Sequence, residues 1–385
     1  MRILFTSTRG TGHLEPLLPF LHTLKRRGHD VCVAAPESVS EKLQKEELPH
    51  TPFDHPGDEQ LKPIWARCGE LPHDEANALM IREIFAGLNA RTALPQLREI
   101  IHNWHPQLIV RESVEFAGLV AAEQAGVPHS RVAVHNGFVD DRFKSIVNAA
   151  IDILRQEANL SLDNGASLRA EPVFTAFPYS LDGAAKTDGK VPFRIGRLQD
   201  ITISTQTAPA WAPKDGEKIV YITFGTIAAS SSDRHAVYRS ALSAIEGLPI
   251  RALLTTGPGM EVSSLGAIPG NVTVEAWVPQ GEVWPHANAL VCHGGSGTVL
   301  GGLAAGMPMV VIPLFADQPD NAQRIEEAGA GVAVYEPDVT SIRAAIERVL
   351  TDTGIHETSD RIAEEIASMP SVDDAVDVLL APLIA

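Results

Sequence analysis

The order of apolar runs and glycine loops constrains this chain more than any other feature. A short apolar strand, a glycine-containing loop, a helix with apolar residues on one face and a second apolar strand follow one another at the start. The same order restarts beyond residue 215. Residues 3–8 read as the first strand, and Arg9-Gly10-Thr11-Gly12-His13 as the loop. Leu14, Leu17, Leu18, Leu21 and Leu24 then recur at helical spacing. Pro16 and Pro19 fit only the first turn of that helix, Gly28 closes it, and residues 31–35 form the next strand. Such β-loop-α-β units build parallel sheets with crossover helices.

Strand, helix and strand repeat at residues 108–110, 117–125 and 132–134. Residues 52–95 mix Pro, His and charge and read as loops plus one helix, and residues 138–190 show weak periodicity. Both are expected as insertions around a pocket. Residues 199–215 are rich in Thr, Ala and Pro and read as a linker. Beyond it, strands are expected at 219–224, 250–255, 272–276, 289–292, 309–313 and 332–335. Helices are expected near 235–246, from Thr298 and from Asn321. The fold class is therefore α/β, with two Rossmann-like domains facing each other across a cleft. The domains are 1–200, joined by a C-terminal helix at about 370–385, and 216–369, with 201–215 between them. In such folds ligands bind beyond the carboxyl ends of the strands.

Charge narrows the partners. The chain has 31 Lys+Arg and 48 Asp+Glu, a net charge of −17, which argues against nucleic acid or anionic membrane as the main partner. Cys32, Cys68 and Cys292 are too few and too scattered for a disulfide framework or a zinc site, so a cytoplasmic protein is expected. No apolar run approaches a membrane span, and the opening residues read as a strand rather than a signal peptide.

Three stretches carry candidate chemistry. In Gly10-Thr11-Gly12-His13 the third glycine of a dinucleotide fingerprint is replaced by Glu15, which would face a pyrophosphate. What remains is a histidine at a helix start, where the helix dipole disfavours imidazolium and keeps a proton acceptor. Gly12 leaves room for a substrate. The alternative is a histidine that only caps the helix. Its orienting carboxylate would be Glu112 or Glu115, both beyond the strand at 108–110, with Glu112 nearer. Arg111 could instead bridge Glu112. The second stretch is Cys292-His293-Gly294-Gly295-Ser296-Gly297-Thr298, a glycine turn that opens a helix and suits an oxyanion, without the lysine of an ATPase loop. A tight turn needing glycine for geometry alone is the competing reading. The third is Trp277-Val278-Pro279-Gln280 upstream and Asp317-Gln318 downstream, with Gly225-Thr226 after an earlier strand. An indole offers a flat face to a nucleobase, although a core tryptophan fits too, and Asp317 and Gln318 suit hydroxyls or helix capping, the latter better suited to Asp320 or Asn321.

At these residues the chain resembles the family 1 inverting glycosyltransferases of the GT-B type, in particular bacterial enzymes that decorate natural products such as enediynes and macrolides. The likeness covers essentially the whole chain, and Trp277 to Asn321 looks like the donor-binding signature. The resemblance implies His13 as catalytic base with Glu112 in place of the usual aspartate. It implies Trp277 and Val278 at the nucleobase, and His293, Gly297 and Thr298 at the diphosphate with Gly295 and Ser296 in the same turn. It also implies Thr226 near the phosphates, and Asp317 and Gln318 at sugar hydroxyls; Gln280, by its own side chain, offers polar contacts beside Trp277. Many UDP-sugar users carry a glutamate for the ribose hydroxyls where this chain has Gly301, so a dTDP-sugar donor is expected. The nucleotide-sugar is a co-substrate, and neither a cofactor nor a metal is required. The acceptor is expected to be a small hydrophobic aglycone, with Phe53, Trp65, Phe85 and Phe138 as pocket lining or core. A homodimer is the assembly allowed for. The competing functions are a sugar-nucleotide epimerase or hydrolase and a non-catalytic nucleotide-sugar-binding accessory protein.

Overall fold

The computed structural model describes residues 1–182, 189–195, 211–212, 216–226, 228, 235–257 and 259–384. The chain divides into two compact units, Met1–Ile195 with Pro370–Ala385, and Gly196–Met369. The linker expected at 201–215 lies largely outside the described residues. Of it, Trp211 is buried, its ring edge-on to His286 of the same unit.

The first unit holds a parallel sheet of seven strands, β1 (Arg2–Thr6), β2 (Asp30–Pro36), β3 (His50–Phe53), β4 (Leu108–Glu112), β5 (His129–Val132), β6 (Val173–Thr175) and β7 (Lys190–Pro192). Their order is β3-β2-β1-β4-β5-β6-β7. The order reverses between β1 and β4, where Thr6 lies opposite Arg111. The second unit repeats the scheme with β8 (Ile219–Thr223), β9 (Arg251–Thr255), β10 (Val272–Glu275), β11 (Ala289–Cys292), β12 (Met309–Val311) and β13 (Gly331–Ala333), ordered β10-β9-β8-β11-β12-β13. Its reversal falls between β8 and β11. Both units are Rossmann-like. Their central strands are largely apolar and buried on both faces, as helix-covered parallel sheets require.

Two regions differ from the sequence reading. Residues 52–95 are mainly helical: Asp58–Gly69, His73–Leu79, a π-helix Met80–Asn89 and the start of Ala90–Trp104. The described residues of 138–190 are part of the domain core rather than an insertion. They supply the 21-residue helix Gly137–Glu157 and complete the sheet with β6 and β7. At the N-terminus the helical run starts at Thr11, earlier than expected. It passes through a 3₁₀ turn, Glu15–Leu17, which holds Pro16, before Leu18–Arg26, whose first turn holds Pro19.

β4 buries two charges on opposite faces, because neighbouring strand residues point opposite ways. Arg111 does not bridge the Glu112 carboxylate. Its guanidinium pairs with buried Glu171 and donates to the carbonyls of Glu112, Ser113 and Glu115. Arg131 of β5 also reaches Glu171 (3.1 Å) and forks onto Asp140 at 2.6 and 3.0 Å. Burial pushes the Glu171 carboxyl up, but Arg111, His129 and Arg131 outweigh it and hold it at about 2. Its folded value lies below its unfolded one. The stabilisation is therefore present above about pH 4.5 and lost as pH falls toward 2. Glu171→Ala leaves the buried Arg111 guanidinium without a carboxylate, while Arg131 keeps Asp140, and should lower unfolding stability at pH 7 by roughly 3–5 kcal/mol. Urea unfolding checks this, and a loss under about 1 kcal/mol would contradict the paired-charge account.

Candidate active site

In the first unit the site forms where the strand order reverses. Gly10 has φ +108°, a conformation that favours glycine, and it starts the helical turn Thr11–Leu14 that carries His13. Gly12 is exposed, and a Cβ there would meet nothing within 4 Å. His13 Nδ1 stands 3.3 Å from Glu112 Oε2; the histidine side chain is 24% exposed and the carboxylate fully buried. Glu112 is fixed on three further sides. The Thr8 hydroxyl (2.9 Å) and backbone N–H (3.3 Å) donate to Oε1, and the Val114 N–H donates to Oε2 (2.8 Å). Burial pushes the Glu112 carboxyl up, but His13, the Val114 amide and the Thr8 hydroxyl hold it below the usual carboxylate range. An ionised, immobile acceptor therefore faces the imidazole.

Glu115 is not the partner of His13. It caps the helix Phe116–Ala125 by accepting from Gly118 N–H, and it accepts from the Thr6 hydroxyl. The histidine ring meets Phe85 with centroids 5.7 Å apart. Neither Thr8 nor Phe85's contact with His13 was found by sequence reasoning. Of the four aromatic residues considered as lining, Phe53 is buried and Phe85 half-buried, while Trp65 and Phe138 are exposed on helices.

In the second unit the glycine turn also sits at the reversal, after β11. His293 lies between two glycine turns. A Cβ on Gly225 (φ +75°) would stand 2.7 Å from His293 Nε2, and a Cβ on Gly295 would collide with the same atom. Burial pulls the His293 imidazole down to about 4, against Asp317 and a backbone hydrogen bond at Thr223. The ring is therefore neutral at pH 7 and acts as a hydrogen-bonding group rather than a cation. Gly295 is the N-cap of the helix Ser296–Ala304, Gly297 is exposed and Thr298 buried.

The Ser296 hydroxyl donates to Asp317 Oδ2 (2.9 Å). Asn321 Nδ2 reaches the Gly294 carbonyl (2.8 Å) and Asp317 Oδ2 (3.2 Å), so Asn321 ties the turn to the next helix. Asp317 occupies the N-cap of Gln318–Ala328 without capping it. Gln318 is buried, and its side-chain oxygen accepts from Leu314 and Phe315 N–H (2.8 and 2.9 Å). That leaves its amide nitrogen as the group able to donate. Trp277 is 65% exposed, which removes the core reading, while Val278 is buried. Gln280 Nε2 lies 3.4 Å from Thr298 Oγ1, and Thr226 is exposed. Among the described residues no cluster of His, Cys, Asp and Glu suits a metal ion, and no helix is long and apolar enough to cross a membrane.

Burial pushes the Glu115 carboxyl up to about 7, against the Thr6 hydroxyl and Arg111. Because the folded value exceeds the unfolded 4.5, the associated stability is present below about pH 4.5 and lost as pH rises through 7. The difference corresponds to roughly 3 kcal/mol. Glu115→Gln keeps the cap without the charge, so it should flatten the pH dependence of thermal stability between pH 5 and 8. An unchanged profile would show that Glu115 does not titrate there.

Comparison with known proteins shows the family. The erythromycin biosynthesis protein CIII-like family matches twice, its N-terminal domain over residues 22–153 and its C-terminal domain over residues 252–381. The chain is 30% identical to L-demethylnoviosyl transferase of Streptomyces niveus over 384 residues, covering 96% of this chain and 95% of that protein. It superposes on the glycosyltransferase SnogD from Streptomyces nogalater with TM-score 0.78 and 24% identity, covering 99% of each chain. With the spinosyn rhamnosyltransferase SpnG, solved with thymidine diphosphate, the TM-score is 0.80 at 21% identity, covering 98% of this chain and 100% of that one. The chain is a glycosyltransferase of the GT-B fold and belongs to the erythromycin CIII-like family of natural-product glycosyltransferases.

Proposed function

We propose that the protein transfers a sugar, with inversion, from a dTDP-sugar to a hydroxyl of a small natural-product acceptor, with His13 as general base and Glu112 orienting it. The observation that carries this reading is the 3.3 Å approach of His13 Nδ1 to the fully buried Glu112 carboxylate. A carboxylate at Nδ1 keeps the proton there and leaves Nε2 with its lone pair. Nε2 takes the acceptor's proton as its oxygen attacks the anomeric carbon. Positive charge then appears on the ring, and Glu112 is already ionised to stabilise it. No proton need pass on to Glu112.

The second unit holds the donor in this reading. The nucleobase stacks on Trp277, and the diphosphate rests on the turn at 293–298, where backbone N–H groups and the dipole of Ser296–Ala304 receive the charge that builds as the bond to the sugar breaks. Asp317 and the Gln318 amide meet sugar hydroxyls. Preference for dTDP rests on Gly301, where a Cβ would stand 3.1 Å from Trp284 Cζ2. An indole, rather than a carboxylate, closes that side, so a ribose 2′-hydroxyl gains nothing there. The thymidine diphosphate complex of SpnG supports the same choice.

His13→Ala should lower kcat about 10²–10⁴-fold with thymidine diphosphate affinity within twofold of wild type. Near-wild-type turnover would remove His13 from the chemistry. Calorimetry should show thymidine diphosphate binding at least as tightly as UDP, and clearly tighter UDP binding would overturn the donor assignment. Gly295→Ala forces the His293 ring to move and should weaken thymidine diphosphate binding about tenfold or more. Unchanged affinity would place the diphosphate elsewhere.

A further inference from the structure

The wall beside His13 holds a group that the proposed reaction leaves idle. Met80–Asn89 is a π-helix of 10 residues, a rare geometry that concentrates at functional sites. It carries Phe85 against His13 and ends at Asn89, which is only 8% exposed. The Asn89 side-chain oxygen is buried and has no hydrogen-bond partner among the described residues. Asn89, Phe85, Phe53, Thr8, Asp54 and His55 border a cavity of about 10 Å³, room for one hydroxyl-sized group. Thr8 also donates to Glu112, so the cavity adjoins the residues that orient His13.

A buried amide oxygen without a donor is a penalty in the free protein that a ligand can relieve. Ligands that fill it must bring an O–H or N–H, and the aromatic walls at Phe53 and Phe85 favour a flat ring behind that group. We propose that Asn89 determines acceptor specificity. Its oxygen accepts a hydrogen bond from a second hydroxyl of an aromatic acceptor, distinct from the hydroxyl that receives the sugar. The proposal rests on the reading of His13 as the acceptor-side base. It goes beyond that reading by requiring an acceptor with at least two hydroxyls.

The test uses the full chain saturated with thymidine diphosphate. It measures the affinities of the dihydroxynaphthalenes and of the two naphthols by calorimetry, in wild type, Asn89→Leu and Asn89→Ala. In wild type at least one diol should bind about tenfold tighter than either naphthol. Both variants should abolish that advantage while leaving naphthol affinity within twofold. Asn89→Leu should melt no lower than wild type, because it removes an unsatisfied polar group. Asn89→Ala provides the same comparison if leucine proves too large to fold. Equal affinity for diols and naphthols in wild type, including no binding of either, would overturn the proposal. So would a parallel loss for both classes in the variants, which would mean that Asn89 only holds a water. Failure of wild type to bind thymidine diphosphate, or undiminished turnover by His13→Ala, would instead defeat the underlying glycosyl-transfer mechanism whatever the phenols do.

Discussion

A carboxylate buried at the end of one strand, facing a histidine that follows the neighbouring strand, is the interaction on which the chemistry we propose for the first unit depends. Glu112 is fully buried, so its charge persists only because His13, Thr8 and Val114 surround it. β1 and β4 flank the point where strand order reverses, and both chains leave the sheet in the same direction there. The loop bearing His13 and the end of β4 bearing Glu112 are thus neighbours in space although about a hundred residues apart in sequence. Remove the sheet order and the pair does not exist.

The second unit uses the same topological position with opposite electrostatics. Its turn after β11 carries no cation. Burial keeps His293 uncharged, and the Asp317 carboxylate is engaged by Ser296 and Asn321. Backbone amides and a helix N-terminus are what the proposed anion would meet, and glycine at 225 and 295 is needed because a Cβ at either position would run into the His293 ring. The first unit instead neutralises buried charges in pairs, Glu171 with Arg111 and Arg131, and Arg131 with Asp140.

The repeating strands were legible because their residues are apolar on both faces, and the second unit reads nearly element for element. Gly137–Glu157 was not legible as a helix. Asp140 and Arg155 lie on its buried side as paired charges and break the apolar stripe that periodicity seeks. Residues 52–95 misled for a related reason: Pro63 and Pro95 sit inside helices, and a π-helix lacks the usual spacing. At the site, His13 and the glycine turn were visible as local motifs. The choice among Arg111, Glu112 and Glu115 needed the alternation of β4 and the cap of the next helix. Thr8 and Asn89 carried no sequence signal, because their roles arise only when distant segments meet.

Glu112, in the proposed mechanism, fixes where the His13 proton resides. Nitrogen NMR of the imidazole, assigned by the resonance lost in His13→Gln, tests it most directly. At alkaline pH a proton on Nδ1 and a bare Nε2 are expected in wild type, with that preference lost in Glu112→Gln. A proton found on Nε2 in wild type, or an unchanged tautomer in Glu112→Gln, would contradict it.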